Sequence, residues 1–82
     1  MELKDAFELI KSENYRDRFK GEYMELYIRH EKLSNMLEKW RNNELGFLPD
    51  TPYDLLAKQL DVMEEYLNIL KERAIIESID LD

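Results

Sequence analysis

Cysteine is missing from the 82 residues, which excludes disulfides and thiolate metal sites and permits, without proving, an intracellular home. There is one histidine, His30, too few for a zinc site built on imidazole. Long apolar runs are also missing. None exceeds three residues, far short of the roughly 20 that span a bilayer, and no basic start leads into an apolar block as in a signal peptide, so the chain is expected to be soluble. Basic charge is in short supply: 12 Lys and Arg against 19 Asp and Glu leave a net charge of −7, which argues against general nucleic-acid binding. Glycine and proline number two each, and Gly46, Pro49 and Pro52 fall together in ELGFLPDTPYD, the one clear loop.

Catalytic signatures are absent as well. The chain has no Gly-rich phosphate loop, nucleophile elbow, HExxH or calcium loop. Paired carboxylates such as Glu22 with Glu25, or Glu64 with Glu65, could in principle carry acid-base work, but on exposed helix faces such groups serve solvation. The chain is therefore expected not to be an enzyme and to need no cofactor.

The charge that is present is unevenly spread. Residues 1–43 carry nine bases and nine acids, whereas residues 44–82 carry three bases, Lys58, Lys71 and Arg73, against ten acids. The second half supplies the whole acidic excess.

Hydrophobic spacing predicts an all-α chain. Phe19, Tyr23, Leu26, His30, Leu33, Leu37 and Trp40 recur in steps of three and four, as do Leu56, Leu60, Met63, Leu67, Leu70 and Ala74. Two such helices, at about 14–43 and 52–79, each about 40 Å long at 1.5 Å per residue, are expected to lie antiparallel as an αα-hairpin. Around loop 44–51, Gly46 suits the left-handed residue after a helix, Thr51 an N-cap, Pro52 the first helical position and Asp54 the acidic first turn. Leu45, Phe47 and Leu48 are apolar enough to fold back over the open end of the hairpin, with Trp40 as a plug beneath.

Leu3, Ala6, Phe7 and Ile10 predict a short helix over 1–12, which Ser12–Asn14 ends or only interrupts. The whole chain, 1–82, reads as a single helical domain. The second long helix has apolar surface to spare: Leu55, Val62, Tyr66, Ile69 and Ile76 form a second stripe about 100° from its seam, at 100° per residue. Either the N-terminal helix covers it or the chain self-associates into a helical-bundle oligomer, the supplement a small core favours.

YRDRFKGEYMELYIRH gathers the other candidate site. Arg16, Lys20, Tyr23 and Tyr27 follow steps of four, three and four, so they line one basic, aromatic strip beside the core seam, with Ser34 further along. Guanidinium and ammonium groups pair with phosphates and tyrosine rings stack on bases, so the strip suits a nucleotide-like anion. The same residues also suit the wet border of a helix core. Arg18 and Arg29 lie on the other flank, and His30 occupies a seam position where it either pairs with a neighbour or meets a ligand.

DRFKGEYMELYIRHEKLSNMLEKW, then FLPDTP, then YDLLAKQLDVMEEYLNILKERAIIESIDL, carry a resemblance over roughly residues 14–81 to a family of small proteins of phages and prophages of gut and related bacteria. The recurrent second-helix positions are Leu55, Leu56, Gln59, Met63, Tyr66, Leu67 and Leu70. The architecture is similar to the helical-hairpin sponges that phages use against CBASS or Thoeris immunity. Those are small oligomers that sequester cyclic nucleotides or ADP-ribose-derived signals without cleaving them. The resemblance implies a non-enzymatic anti-defence protein in the cytoplasm of an infected bacterium, holding a phosphorylated nucleotide-like molecule with no membrane contact. The ligand would meet Arg16, Lys20, Tyr23 and Tyr27, with Arg29 or His30. The alternative is a protein-interaction module whose Val62, Tyr66 and Ile69 stripe docks a host or phage protein.

Overall fold

A computed structural model describes residues 2–81; Met1 and Asp82, included in the expected domain, lie outside them. The described residues hold three helices and no strand: α1 (Leu3–Ile10), α2 (Tyr15–Arg41) and α3 (Tyr53–Glu77). The two long helices form the hairpin, and the molecule measures 43 × 24 × 19 Å.

The break between α1 and α2 is made by two polar side chains. The Asn14 carboxamide oxygen accepts from the Arg16 N–H at 2.8 Å and caps α2. The Ser12 hydroxyl accepts from the Asn14 N–H and donates to Asp17. Ser, Asn and Asp side chains compete in this way with the helical ladder, so α1 ends rather than running into α2.

α1 packs on α2 alone and makes no element contact with α3. The contact centres on Gly21, which no apolar pattern singles out. A Cβ there would lie 2.8 Å from the Ile10 nitrogen and 2.9 Å from the Ala6 oxygen, so the backbones touch where a side chain is missing. Ala6 is fully buried at this crossing, and Ile28, two turns beyond Gly21 on the same face, is buried too. α1 therefore leaves the outer stripe of α3 uncovered.

The hairpin core is tightest at the end opposite the loop. Phe19, Leu70, Ala74 and Ile79 are buried together, with Tyr23, Leu26 and Leu81 packed against them. Leu37 and Leu67 continue the seam towards the loop. Leu37 and Leu70 are the two largest fully enclosed side chains, each worth about 1.5–3 kcal/mol by burial.

Both long helices end in the same turn. Asn43 and Ser78 take left-handed φ values of 58° and 55°. The Glu44 and Ile79 amides then donate back to the Lys39 and Ala74 carbonyls, both at 2.8 Å. Asn43, not Gly46, is thus the left-handed residue after α2; asparagine tolerates this conformation and lies next to the last helical turn. At the start of α3, Pro52 is the N-cap rather than the first helical residue, and no side chain of the cap bonds to the helix. Pro52 has the helical φ of −58° but an extended ψ of 146°, so the helical backbone begins one residue later, at Tyr53. Asp54 does fall in the acidic first turn.

The loop does not close the hairpin as expected. Phe47 and Leu48 are 61% and 82% exposed, and only Leu45 is half-buried. Trp40 and Tyr53 make the end contact instead, edge to face at 5.3 Å, and the Tyr53 hydroxyl accepts from Arg41. The ring pair joins the last turn of α2 to the first turn of α3 without Phe47, and Trp40 itself is half-buried rather than a sealed plug.

Candidate functional site

α2 and α3 run antiparallel in a register that sorts the candidate residues onto two flanks. On the first, Arg16 donates to the Ser78 carbonyl at 3.0 Å, Tyr23 faces Lys71 across a groove, and His30 approaches Glu64 at 3.6 Å. Each step of seven along α2 is met by a step of seven back along α3, as two helices with matched heptads require. On the second flank Arg73 donates to the Tyr15 hydroxyl, and the Tyr66 hydroxyl donates to Glu22.

The first flank holds a groove of about 370 Å³, lined by Tyr23, Lys71, Ala74, Ile75, Ile79, Asp80 and Leu81. Its floor is apolar because Ala74, Ile79 and Leu81 belong to the hairpin core. Its polar groups are Tyr23, Lys71 and Asp80. The far wall exists because the chain reverses at Ser78, and the Arg16 guanidinium on the Ser78 carbonyl ties that reversal to α2. Tyr27 extends the aromatic surface: its ring lies 6.1 Å from that of Tyr23, the planes 30° apart. Lys20, one turn before Tyr23, is half-buried. Neither Lys20 nor Lys71 has a hydrogen bond or ion pair among the described residues.

The second flank is a ladder of satisfied polar groups. Arg29 is paired with Glu25 at 2.9 Å. Arg73 bonds to Tyr15 and Glu77 and lies 4.9 Å above the Phe19 ring. Tyr15 and Tyr66 are both pushed above the ordinary tyrosine range, chiefly because their hydroxyls donate to the Glu77 and Glu22 carboxylates and secondarily by burial. The cavity on this side is about 160 Å³ and is lined by Glu22, Glu25, Leu26, Arg29 and Tyr66. It faces carboxylates and suits an anion poorly. Tyr66, expected on the outer stripe, turns its hydroxyl to α2 and borders this flank instead.

The six residues of the expected ligand set are therefore not one cluster. Arg16, Lys20, Tyr23, Tyr27 and His30 share the first flank, and Arg29 is on the second. His30 has its Nε2 enclosed without a hydrogen-bond partner, with only the Glu64 carboxylate nearby. Arg16 and Arg18 are both held on backbone carbonyls, Arg18 on that of Ser12 at 3.0 Å. Lys71 and Asp80 were not singled out by sequence reasoning. The available signal was Lys71 as one of three bases in the acidic half, seven residues before the end of the α3 turn. Among the described residues no group of His, Asp and Glu is arranged to hold a metal ion, and no helix is long and apolar enough to cross a membrane.

The described residues thus form an all-α helical hairpin with an open, part-apolar groove on one flank. The chain matches the family model described as Sequestin over residues 13–76, which span α2, the loop and nearly all of α3. It is a member of the Sequestin family, a name that denotes sequestration, and no enzyme family is matched. No curated protein and no solved structure gives a significant match.

Proposed function

We propose that this Sequestin-family chain sequesters a phosphorylated, nucleotide-derived signal, a cyclic nucleotide or an ADP-ribose derivative, stoichiometrically and without cleaving it. The work is done in the cytoplasm of an infected bacterium, where removing the signal blunts an anti-phage response. One observation carries the reading: Lys20 and Lys71, without anionic partners among the described residues, flank the Tyr23 and Tyr27 rings beside an apolar groove floor. Arg16, Arg18, Arg29 and Arg73 are all engaged elsewhere.

The chemistry follows from those groups. The two ammonium groups meet the phosphates, the tyrosine rings take the base face, and the Asp80 carboxylate accepts from ribose hydroxyls. Arg16 acts as a positioning residue, holding the turn that forms the groove wall. Of the six expected ligand residues only Tyr23 lines the groove; Lys20 and Tyr27 lie beside Tyr23 on the same face of α2, and Arg29 and His30 stand apart from it. A groove of about 370 Å³ lies within the usual span for small-molecule sites, roughly 300–1,000 Å³. Sequestration, the action that the family's name denotes, holds the bound ligand rather than turning it over.

Calorimetry and thermal melts against a panel of cyclic nucleotides and ADP-ribose derivatives test this directly. A ligand at 100 times its dissociation constant adds about 2.7 kcal/mol of stability. Stabilisation by one member, with the ligand recovered intact, is the expected result. A flat response across the panel overturns the assignment.

A further inference from the structure

α3 carries a line of apolar side chains spaced seven residues apart, Leu55, Val62, Ile69 and Ile76, which are 58%, 55%, 55% and 80% exposed. Neither α1 nor α2 covers it, since α1 packs on α2 and α2 meets the opposite side of α3, where Leu67, Leu70 and Ala74 are buried. An exact seven-residue repeat drifts only about 20° per step on a straight helix, so the line suits a left-handed supercoil with another helix. Scattered exposed apolar residues need no explanation, but four in heptad register over six turns form a continuous seam.

The charges beside the seam choose the occupant. On one side they run Lys58, Glu65, Glu72, again seven apart. Two copies of α3 laid parallel would turn this row towards the other edge of the second copy's seam, Gln59, Tyr66 and Arg73, where Lys58 and Glu65 meet no opposite charge and Arg73 is already held by Tyr15 and Glu77. Laid antiparallel about a twofold axis, Leu55 meets Ile76, Val62 meets Ile69, and Lys58 meets Glu72 of the second copy, twice per pair. Only Glu65 then faces its own copy, near the axis, and opposes association by a few tenths of a kcal/mol.

We infer that the Leu55, Val62, Ile69 and Ile76 line is the twofold interface of a homodimer in which two α3 helices pack antiparallel. The arrangement is isologous and closes on itself, so it ends at two copies. It also bears on the groove. Glu72 neighbours Ile75, a groove-lining residue one turn on, so the second copy's Lys58 arrives beside the groove and adds a cation to its rim. The dimer stands on the seam and its charges, independently of whether a nucleotide-derived ligand binds.

The absence of cysteine makes the geometry readable by thiol cross-linking. Light scattering and sedimentation of the full chain should give a dimer. Val62→Glu and Ile69→Glu should give monomers with unchanged helical circular dichroism, because both positions are exposed in the single chain. Lys58→Glu should weaken the dimer about tenfold, and the double change Lys58→Glu with Glu72→Lys should restore it. Mixed Val62→Cys and Ile69→Cys chains should cross-link to each other in preference to themselves. A wild-type monomer up to millimolar concentration overturns the inference, even if it captures a different protein. So does a dimer indifferent to Ile69→Glu, or cross-linking of each cysteine variant chiefly to itself.

Discussion

Tyr23 on α2 and Lys71 on α3 face each other across one groove, a heptad along each helix from the point where Arg16 holds the Ser78 carbonyl. One register thus builds both the groove and its wall, and it separates residues that touch ligand from residues that shape the pocket.

Lys71→Ala is expected to weaken binding of the panel ligand by about tenfold or more, a loss typical of a charge-assisted contact, while leaving the melting temperature unchanged because Lys71 is exposed. Arg29→Ala on the other flank should leave affinity as it was. Arg16→Ala should do something different: it frees the Ser78 carbonyl and lowers stability by about 1 kcal/mol, with weaker binding as a consequence. Paired calorimetry and thermal melts separate the three outcomes.

Gly21→Ala tests the packing of α1. Alanine improves helix propensity by about 1 kcal/mol in a helix interior. Here the added methyl would sit 2.8–2.9 Å from backbone atoms of Ile10 and Ala6, which cannot swing aside as a side-chain tip would. The expected net result is destabilisation by about 1–3 kcal/mol. Limited proteolysis should then cut first within 2–14 while the hairpin persists.

His30→Leu is expected to raise stability. Its Nε2 is enclosed with no hydrogen-bond partner, and an unsatisfied buried polar atom costs about 1–3 kcal/mol. A leucine at this half-buried seam position removes that burden and extends the apolar contact between Leu26 and Leu33. A rise of several degrees in the melting temperature, with ligand affinity retained, is the expected outcome; a fall would show that the pairing with Glu64 outweighs the burial penalty.

Alkaline pH should loosen the second flank. Tyr15 and Tyr66 titrate above their ordinary value in the folded chain because the protonated hydroxyls donate to Glu77 and Glu22. The folded state therefore binds the phenolic protons more tightly than the unfolded state. That contribution is fully present below about pH 10 and is lost as the pH rises through the raised folded values. Denaturant melts across this range should show stability falling with pH, and Tyr66→Phe should flatten part of the slope.

The helices and their pairing were legible in the sequence because hydrophobic spacing follows the 3.6-residue turn, a property of each segment alone. The charge-poor, apolar line of α3 was legible for the same reason. Turn details were less so. Gly46 and Thr51 had suitable chemistry, yet Asn43 and Pro52 hold the positions, since which residue takes a cap depends on where the last packed turn ends. Gly21 was overlooked, although a lone glycine inside a helical pattern is a known sign of close backbone approach.

The strip of Arg16, Lys20, Tyr23 and Tyr27 was found by angle, but its meaning changed once α3 lay beside it. Arg16 became a clamp on a turn, and Lys71, 48 positions after Tyr23 in the chain, became its partner across the groove. By itself the sequence determined the all-α hairpin, the acidic second half and the faces each helix presents, all of which arise from local periodicity and composition. Only the tertiary structure decided that α1 lies on α2, that α3 keeps an open seam, and which side chains share a groove. Those outcomes depend on the register between helices, which is set by long-range packing around Phe19, Leu70 and Ala74 and by a missing Cβ at Gly21.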